Sequence, residues 1–242
     1  MNITSGLNRL TDSLVRATCY VPGEKGSRPS FPTIALSREA GAQGTAVANE
    51  LGRRLRWPVY DHELLERMAE KMQVNVNLLE SIDERGSSWL REAVQSFLLN
   101  RSVSEQAYFL RLVETLLAVG AEGRGIIVGR GAVFVLPPAT TLRVLLVANL
   151  DDRIARICGE MHHSAAEARR HIRDTDRERA GFIREHFHAD VTDPLDYDLL
   201  LNTSRFSVPV CAEIIEASLT HWASPRPEQS QSGERAPAGP TD

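Results

Sequence analysis

The stretch Thr33–Asp61, TIALSREAGAQGTAVANELGRRLRWPVYD, constrains this chain more than any other. A short apolar run, Thr33-Ile34-Ala35-Leu36, meets a small, Gly-containing turn at Ser37–Thr45. A helical pattern follows, with Val47, Leu51 and Leu55 at spacings of four on one face. Trp57–Asp61 then has the character of a second short strand. Strand, small-residue turn, helix and strand in that order place backbone N–H groups at a helix N-terminus, where phosphate binds well. Glycine lets the main chain approach the anion, and the helix dipole adds favourable charge. The stretch therefore reads as a phosphate-binding loop.

It is an abnormal one. The standard loop is G-x-x-x-x-G-K-[ST], with the lysine on the β/γ-phosphates and the hydroxyl on magnesium. Aligned on strand and helix, Arg38 falls at the first glycine, Gly44 at the lysine, and Thr45 or Ala46 near the hydroxyl. An ordinary Gly-containing turn between strand and helix is the competing reading of this loop taken alone.

The rest of the chain agrees with an α/β domain. Strand-like runs recur at Gly125–Arg130, Leu142–Ala148 and Tyr197–Leu201. The run LRVLLVA at 142–148 is near-continuously apolar, as in a strand buried on both faces. Helical patterns separate the runs: His62–Met72, Val76–Ile82, Trp89–Leu99 and Glu105–Val119 before the third, then Asp151–Cys158, Ser164–Phe187 and Val210–Leu219. This alternation predicts a doubly wound parallel sheet of about five strands, with 62–124 as a helical insertion. Ligands bind such sheets beyond the carboxyl ends of the strands, where Ser37–Thr45, Asp61 and Gly129-Arg130 all fall.

Asp151–Arg184 carries Arg153, Arg156, Arg169, Arg170, Arg173, Arg177, Arg179 and Arg184. Guanidinium groups suit a transferring phosphoryl group, because the planar fork pairs phosphate oxygens two at a time. Interleaved acids such as Glu167, Asp174 and Glu178 leave open the alternative of a solvated helix with Glu/Arg pairing. A pair of charged helices at 151–190 would also serve as a mobile lid.

Composition limits the alternatives. With 242 residues and a net charge of −4, the chain is long enough for a substantial core and too acidic for a strongly basic nucleic-acid binder. Three scattered cysteines form no C-x-x-C pair. His162-His163 and His186-Phe187-His188 lack the spacing to share a helix face, so no metal-ligating set of side chains is expected. No apolar run is long enough to cross a bilayer, and a cytoplasmic location is the simplest expectation. Residues 1–31 read as an amphipathic helix (Ile3, Leu7, Leu10, Leu14) and a linker. That helix would dock on the domain or on a second copy in a homodimer, with membrane-surface binding the other reading. Residues 223–242, rich in Pro, Ser and Gly, read as a disordered tail after a domain at 32–222.

The order of these features resembles the nucleoside monophosphate kinases, specifically the cytidylate kinase-like family. The resembling pieces are Ile34–Leu55 with Trp57–Asp61, IIVGRGA at 126–132, LRVLLVANLDDRIAR at 142–156, DRER at 176–179 and YDLLLNTS at 197–204. The resemblance implies a three-layer P-loop kinase fold with an Arg-rich lid. It implies that Ser37, Arg38, Gly41, Ala42, Gln43, Gly44 and Thr45 hold the phosphates of ATP, bridged by Mg2+. Asp61, Gly129 and Arg130 would hold the acceptor, a nucleoside monophosphate with CMP as the first guess. Arg153, Arg156, Arg177 and Arg179, with Asp176, would grip the transferring group. The loop reads REAGAQGTA where cytidylate kinases resemble GPSGAGKGT, and is closer to the S-R-x-x-G-S-G-G of divergent members. Asp61-His62-Glu63 and Gly131 also depart from cytidylate kinases, so the positions that read cytosine are not matched. Two functions stay open: a phosphotransferase, and a nucleotide-binding regulatory protein without turnover. Arg38 is a candidate to replace the missing lysine, since its charge is permanent and it starts the loop.

Overall fold

A computed structural model describes residues 32–71 and 103–222. The segment 3–17, the linker ahead of Pro32, the helical patterns at 76–82 and 89–99 and the tail 223–242 lie outside the described residues. No helix among the described residues is long and apolar enough to cross a membrane.

Five strands, β1 (Thr33–Arg38), β2 (Val59–Tyr60), β3 (Ile126–Val128), β4 (Thr141–Val147) and β5 (Leu199–Asn202), form one sheet in the order β2-β3-β1-β4-β5. Every pairing is parallel, with Ile34 opposite both Ile126 and Leu142, and Val144 opposite Leu199. The helices are α1 (Gly44–Leu55), α2 (His62–Lys71), α3 (Val103–Glu122), the short α4 (Ala132–Val135), α5 (Leu150–Met161), α6 (Ala165–Phe187) and α7 (Val208–Trp222).

Side chains of a strand alternate between the two faces of the sheet, and both faces here are covered. Ile34, Leu36, Ile126, Val128, Leu142, Val144 and Leu146 pack with Val47, Ala48 and Leu51 of α1 and Cys211, Ala212 and Ile215 of α7. The intervening Ala35, Ile127 and Leu145 join the opposite layer, with Leu65 of α2, Phe109, Leu112 and Leu116 of α3, and Val133 of α4. This alternation is why β4 reads as a nearly unbroken apolar run. A third, smaller cluster joins Ile154 and Ile157 of α5 to Ala168 and Ile172 of α6 and to Ala40 of the loop.

Helix α6 is held at both ends. Ser164 caps it in a reciprocal capping box with Glu167. Its first half packs on α5, and its last turns place Ile183 and Phe187 in the core beside β3 and α4. The sheet order puts the C-terminal end of β1 between those of β3 and β4, so the loop after β1 faces both Gly129-Arg130 and the charged helices.

Candidate functional site

The loop between β1 and α1 is fixed by four hydrogen bonds of its own backbone. Glu39 N–H donates to Leu146 O (3.0 Å), Ala42 N–H to Glu39 O (3.2 Å) and Ala40 N–H to the Asp176 carboxylate (2.8 Å). Val47 N–H donates to Gln43 O (3.0 Å), starting the helix. Gly41 and Gln43 are left-handed, at φ 76° and 58°. The N-cap, Gln43, makes no side-chain capping bond, and the first turn of α1 holds no acid. The amides of Gly44, Thr45 and Ala46 thus open a helix N-terminus that no side-chain cap closes. Thr45 is exposed there, and Ala42 is buried beneath. Ser37 is half-buried at the end of β1, and the Tyr197 hydroxyl near it donates to Val191 O (2.8 Å), with a pKa pushed up to about 12, chiefly by burial.

Arg153, only 6% exposed, ties this loop to α6. Its Nε donates to Ala40 O (2.7 Å), Nη1 pairs with Glu39 (3.3 Å) and Nη2 with Asp176. Glu39 in turn accepts from Ala148 N–H (2.9 Å), beyond the end of β4. Arg156 spans the next gap, donating to Gly41 O (3.1 Å), Thr203 Oγ1 (3.1 Å) and Thr203 O (2.7 Å). Both arginines are thereby committed to protein carbonyls and positioned to shape the loop. Arg179 donates from Nη1 to Arg38 O (3.2 Å). Arg177 is exposed on α6, and among the described residues it makes no hydrogen bond or ion pair.

Three cations meet at the mouth of the loop. The Arg38 pKa is lowered to about 10, first by burial and then by Arg179 and Arg130. Arg179 is also lowered, burial again leading, with Arg153 and Arg130 adding to the effect against Asp176 and Glu178. Arg130 is presented by an unusual turn: Gly129, Arg130 and Gly131 are all left-handed, at φ 78°, 52° and 74°. A non-glycine residue in that region is strained and is held there by its surroundings. The Arg130 guanidinium lies 5.8 Å from the centroid of the Phe182 ring, and Phe187 fills the space where a Cβ on Gly131 would stand. Asp61 is exposed and caps α2, its Oδ1 accepting from Leu64 N–H (2.9 Å).

The structure therefore brings Arg38, Arg130 and Arg179 together, gathers Arg153, Arg156 and Asp176 around the loop, and leaves Arg177 in solvent. Sequence reasoning passed over Glu39, Thr203, Tyr197 and the Phe182/Phe187 pair. Thr203 was within reach: it follows the last strand, and the rule that ligand loops lie at strand C-termini applies to β5 as to β1.

A comparison with sequence families now decides the kinship: the model of the cytidylate kinase-like family matches residues 33–205, well over half of the chain. The chain belongs to the cytidylate kinase-like family. A cytidylate kinase from Methanopyrus kandleri is 33% identical over 107 residues, covering 40% of this chain and 55% of that relative. The match thus spans about half the relative's length. A solved structure of an uncharacterized protein from Eubacterium ventriosum superposes with a TM-score of 0.61 at 18% identity, covering 78% of this chain and 98% of the other. At that identity it speaks for the fold alone. The five-stranded parallel sheet with helices on both faces is the α/β P-loop kinase fold, and membership places the chain among kinase-like proteins.

Proposed function

We propose that this protein is an ATP-dependent phosphotransferase acting on a small phosphorylated acceptor, a nucleoside monophosphate with CMP tried first. The observation that carries the reading is the convergence of Arg38, Arg130 and Arg179 beside the uncapped N-terminus of α1. Like charges held together in a partly desolvated pocket raise the energy of the empty site and favour a polyanion. In the reaction, an acceptor phosphate oxygen bonds to the γ-phosphorus as the β–γ bridging P–O bond breaks. The electron pair leaves with ADP. A phosphate acceptor is largely ionised at neutral pH, so positioning and electrostatics supply the catalysis.

The residues take distinct parts. The amides of Gly44, Thr45 and Ala46 with Arg38 hold the donor, Arg179 reaches the transferring group, and Arg130, stacked near Phe182, holds the acceptor phosphate. Arg153, Arg156 and Asp176 position the loop; Asp61 orients α2 on the acceptor side. Magnesium, when bound, neutralises donor phosphate charge. The described residues offer no cluster of three acidic, His or Cys groups for an ion, so the exposed Thr45 hydroxyl and the phosphates themselves would hold it.

The second reading, a nucleotide-binding regulatory protein without turnover, draws on one observation: glycine stands at the lysine position. ATP consumption with magnesium against a panel of nucleoside monophosphates separates the two. Acceptor-dependent turnover, reduced about 100-fold or more in Arg130→Ala and Arg179→Ala, is the expected outcome. ATP binding with no turnover on any acceptor would favour the regulatory reading.

A further inference from the structure

The lysine that phosphate loops carry at the start of their helix is absent here, and the space it would use is filled from elsewhere. A Cβ on Gly44 would stand 2.6 Å from Arg38 Cγ and 3.0 Å from Arg38 Cβ. The obstruction is the base of the arginine side chain, which a swing of its tip does not relieve. The stem of Arg38 therefore lies across the first residue of α1. Its far end passes Gly129, where a Cβ would overlap Arg38 Nη1. Gly129 is also left-handed, at φ 78°, so glycine answers both demands at that position.

We infer that Arg38 supplies, from the end of β1, the phosphate-binding cation that such loops ordinarily supply from the helix, and that Gly44 and Gly129 form the channel through which it passes. The inference rests on the proposed phosphate site and names how that site works without its lysine. Three facts converge on it. The Arg38 guanidinium makes no hydrogen bond or ion pair with any described residue, although burial and two neighbouring arginines disfavour its charge. Its carbonyl is tethered by Arg179, which fixes the strand end from which the side chain departs. Its tip lies at Gly129, between the donor loop and the residue that presents Arg130. A cation so placed spans the donor's terminal phosphates and the acceptor side, and the guanidinium fork can take two oxygens where an ammonium takes one.

The test is an exchange of positions, read as ATP affinity by calorimetry with the full chain, with and without magnesium. Arg38→Ser is expected to weaken binding about thirtyfold, the loss of one charge-assisted contact. Gly44→Lys alone is expected to weaken it too, because two stems contend for one space. The double variant Arg38→Ser/Gly44→Lys is expected to recover to within about threefold of the wild type, a coupling that independent sites do not show. Unimpaired binding by Arg38→Ser, or a double variant no better than the worse single one, overturns the inference while leaving the phosphate site standing. A wild type that binds no ATP overturns both. Should the double variant not fold, Arg38→Met decides: its ligand-free Tm should equal or exceed the wild type while ATP affinity falls. A lowered Tm with unchanged affinity would make Arg38 a structural residue and overturn the proposal.

Discussion

Arg153 shows how much one side chain is asked to do. It is nearly fully buried, and its guanidinium joins a loop carbonyl, a loop carboxylate and a carboxylate of α6. Removing one member of a buried charged network leaves the others desolvated and unpaired, which costs more than the network contributes. Arg153→Met is expected to lower stability by about 3 kcal/mol in urea unfolding. Arg153→Lys should recover only part, since an ammonium cannot reach Ala40 O, Glu39 and Asp176 from one planar group. A lysine variant as stable as the wild type would show that charge alone matters there. The residue types around the loop were legible in the sequence, but the division of labour was not. Arg153, Arg156 and Arg179 look alike as letters, and only the partners that the fold brings to each of them tell their parts apart.

Helix α6 is the element that brings Asp176 and Arg179 to the loop. Its start is written in the sequence as Ser164-x-x-Glu167, and both halves of the capping box form. Ser164→Ala is expected to cost about 1 kcal/mol at neutral pH. The pH dependence follows from Glu167, whose pKa is lowered from its ordinary 4.5, chiefly by the Ser164 hydroxyl and then by the Ser164 backbone N–H. A carboxyl with a lowered folded-state pKa stabilises the protein above its ordinary value and loses that contribution as pH falls through the folded-state value. The gap in melting temperature between wild type and Ser164→Ala should therefore be widest near neutral pH and narrow below about pH 4. A gap independent of pH would show that the hydroxyl acts without the carboxylate. The length of α6 was readable as a continuous charged helical pattern. Its course was not, because the helix leaves its packing against α5 and ends in the core through Phe187, a contact with no local signal.

At the scale of the whole molecule, one sheet is shared by two helical layers. Leu51 of α1 and Leu116 of α3 are fully buried on opposite faces of it. Truncating either to alanine is expected to cost about 3 kcal/mol and to shift a single unfolding transition, whichever probe is used. Two separable transitions in either variant would mean that the layers unfold independently. The arrangement also explains how the site is built: β1 lies at the centre of the order β2-β3-β1-β4-β5, so its C-terminal loop is flanked by the ends of β3 and β4.

By itself the sequence determined the five strands, the described helices other than the short α4, the parallel arrangement of the sheet, the loop after the first strand and the kinship, because each of these rests on local signals. Apolar periodicity sets which face of a helix or strand is buried, and small residues mark a turn wherever they occur. Tertiary structure alone decided the strand order, the ties from Arg153 to Asp176 and from Arg156 to Thr203, and the run of Arg38 across Gly44 to Gly129. The side-chain ties join residues from 6 to 91 positions apart along the chain, and the strand pairings reach further still. Distances of that kind are fixed by how the layers close on the sheet, and a linear pattern of residues holds no record of them.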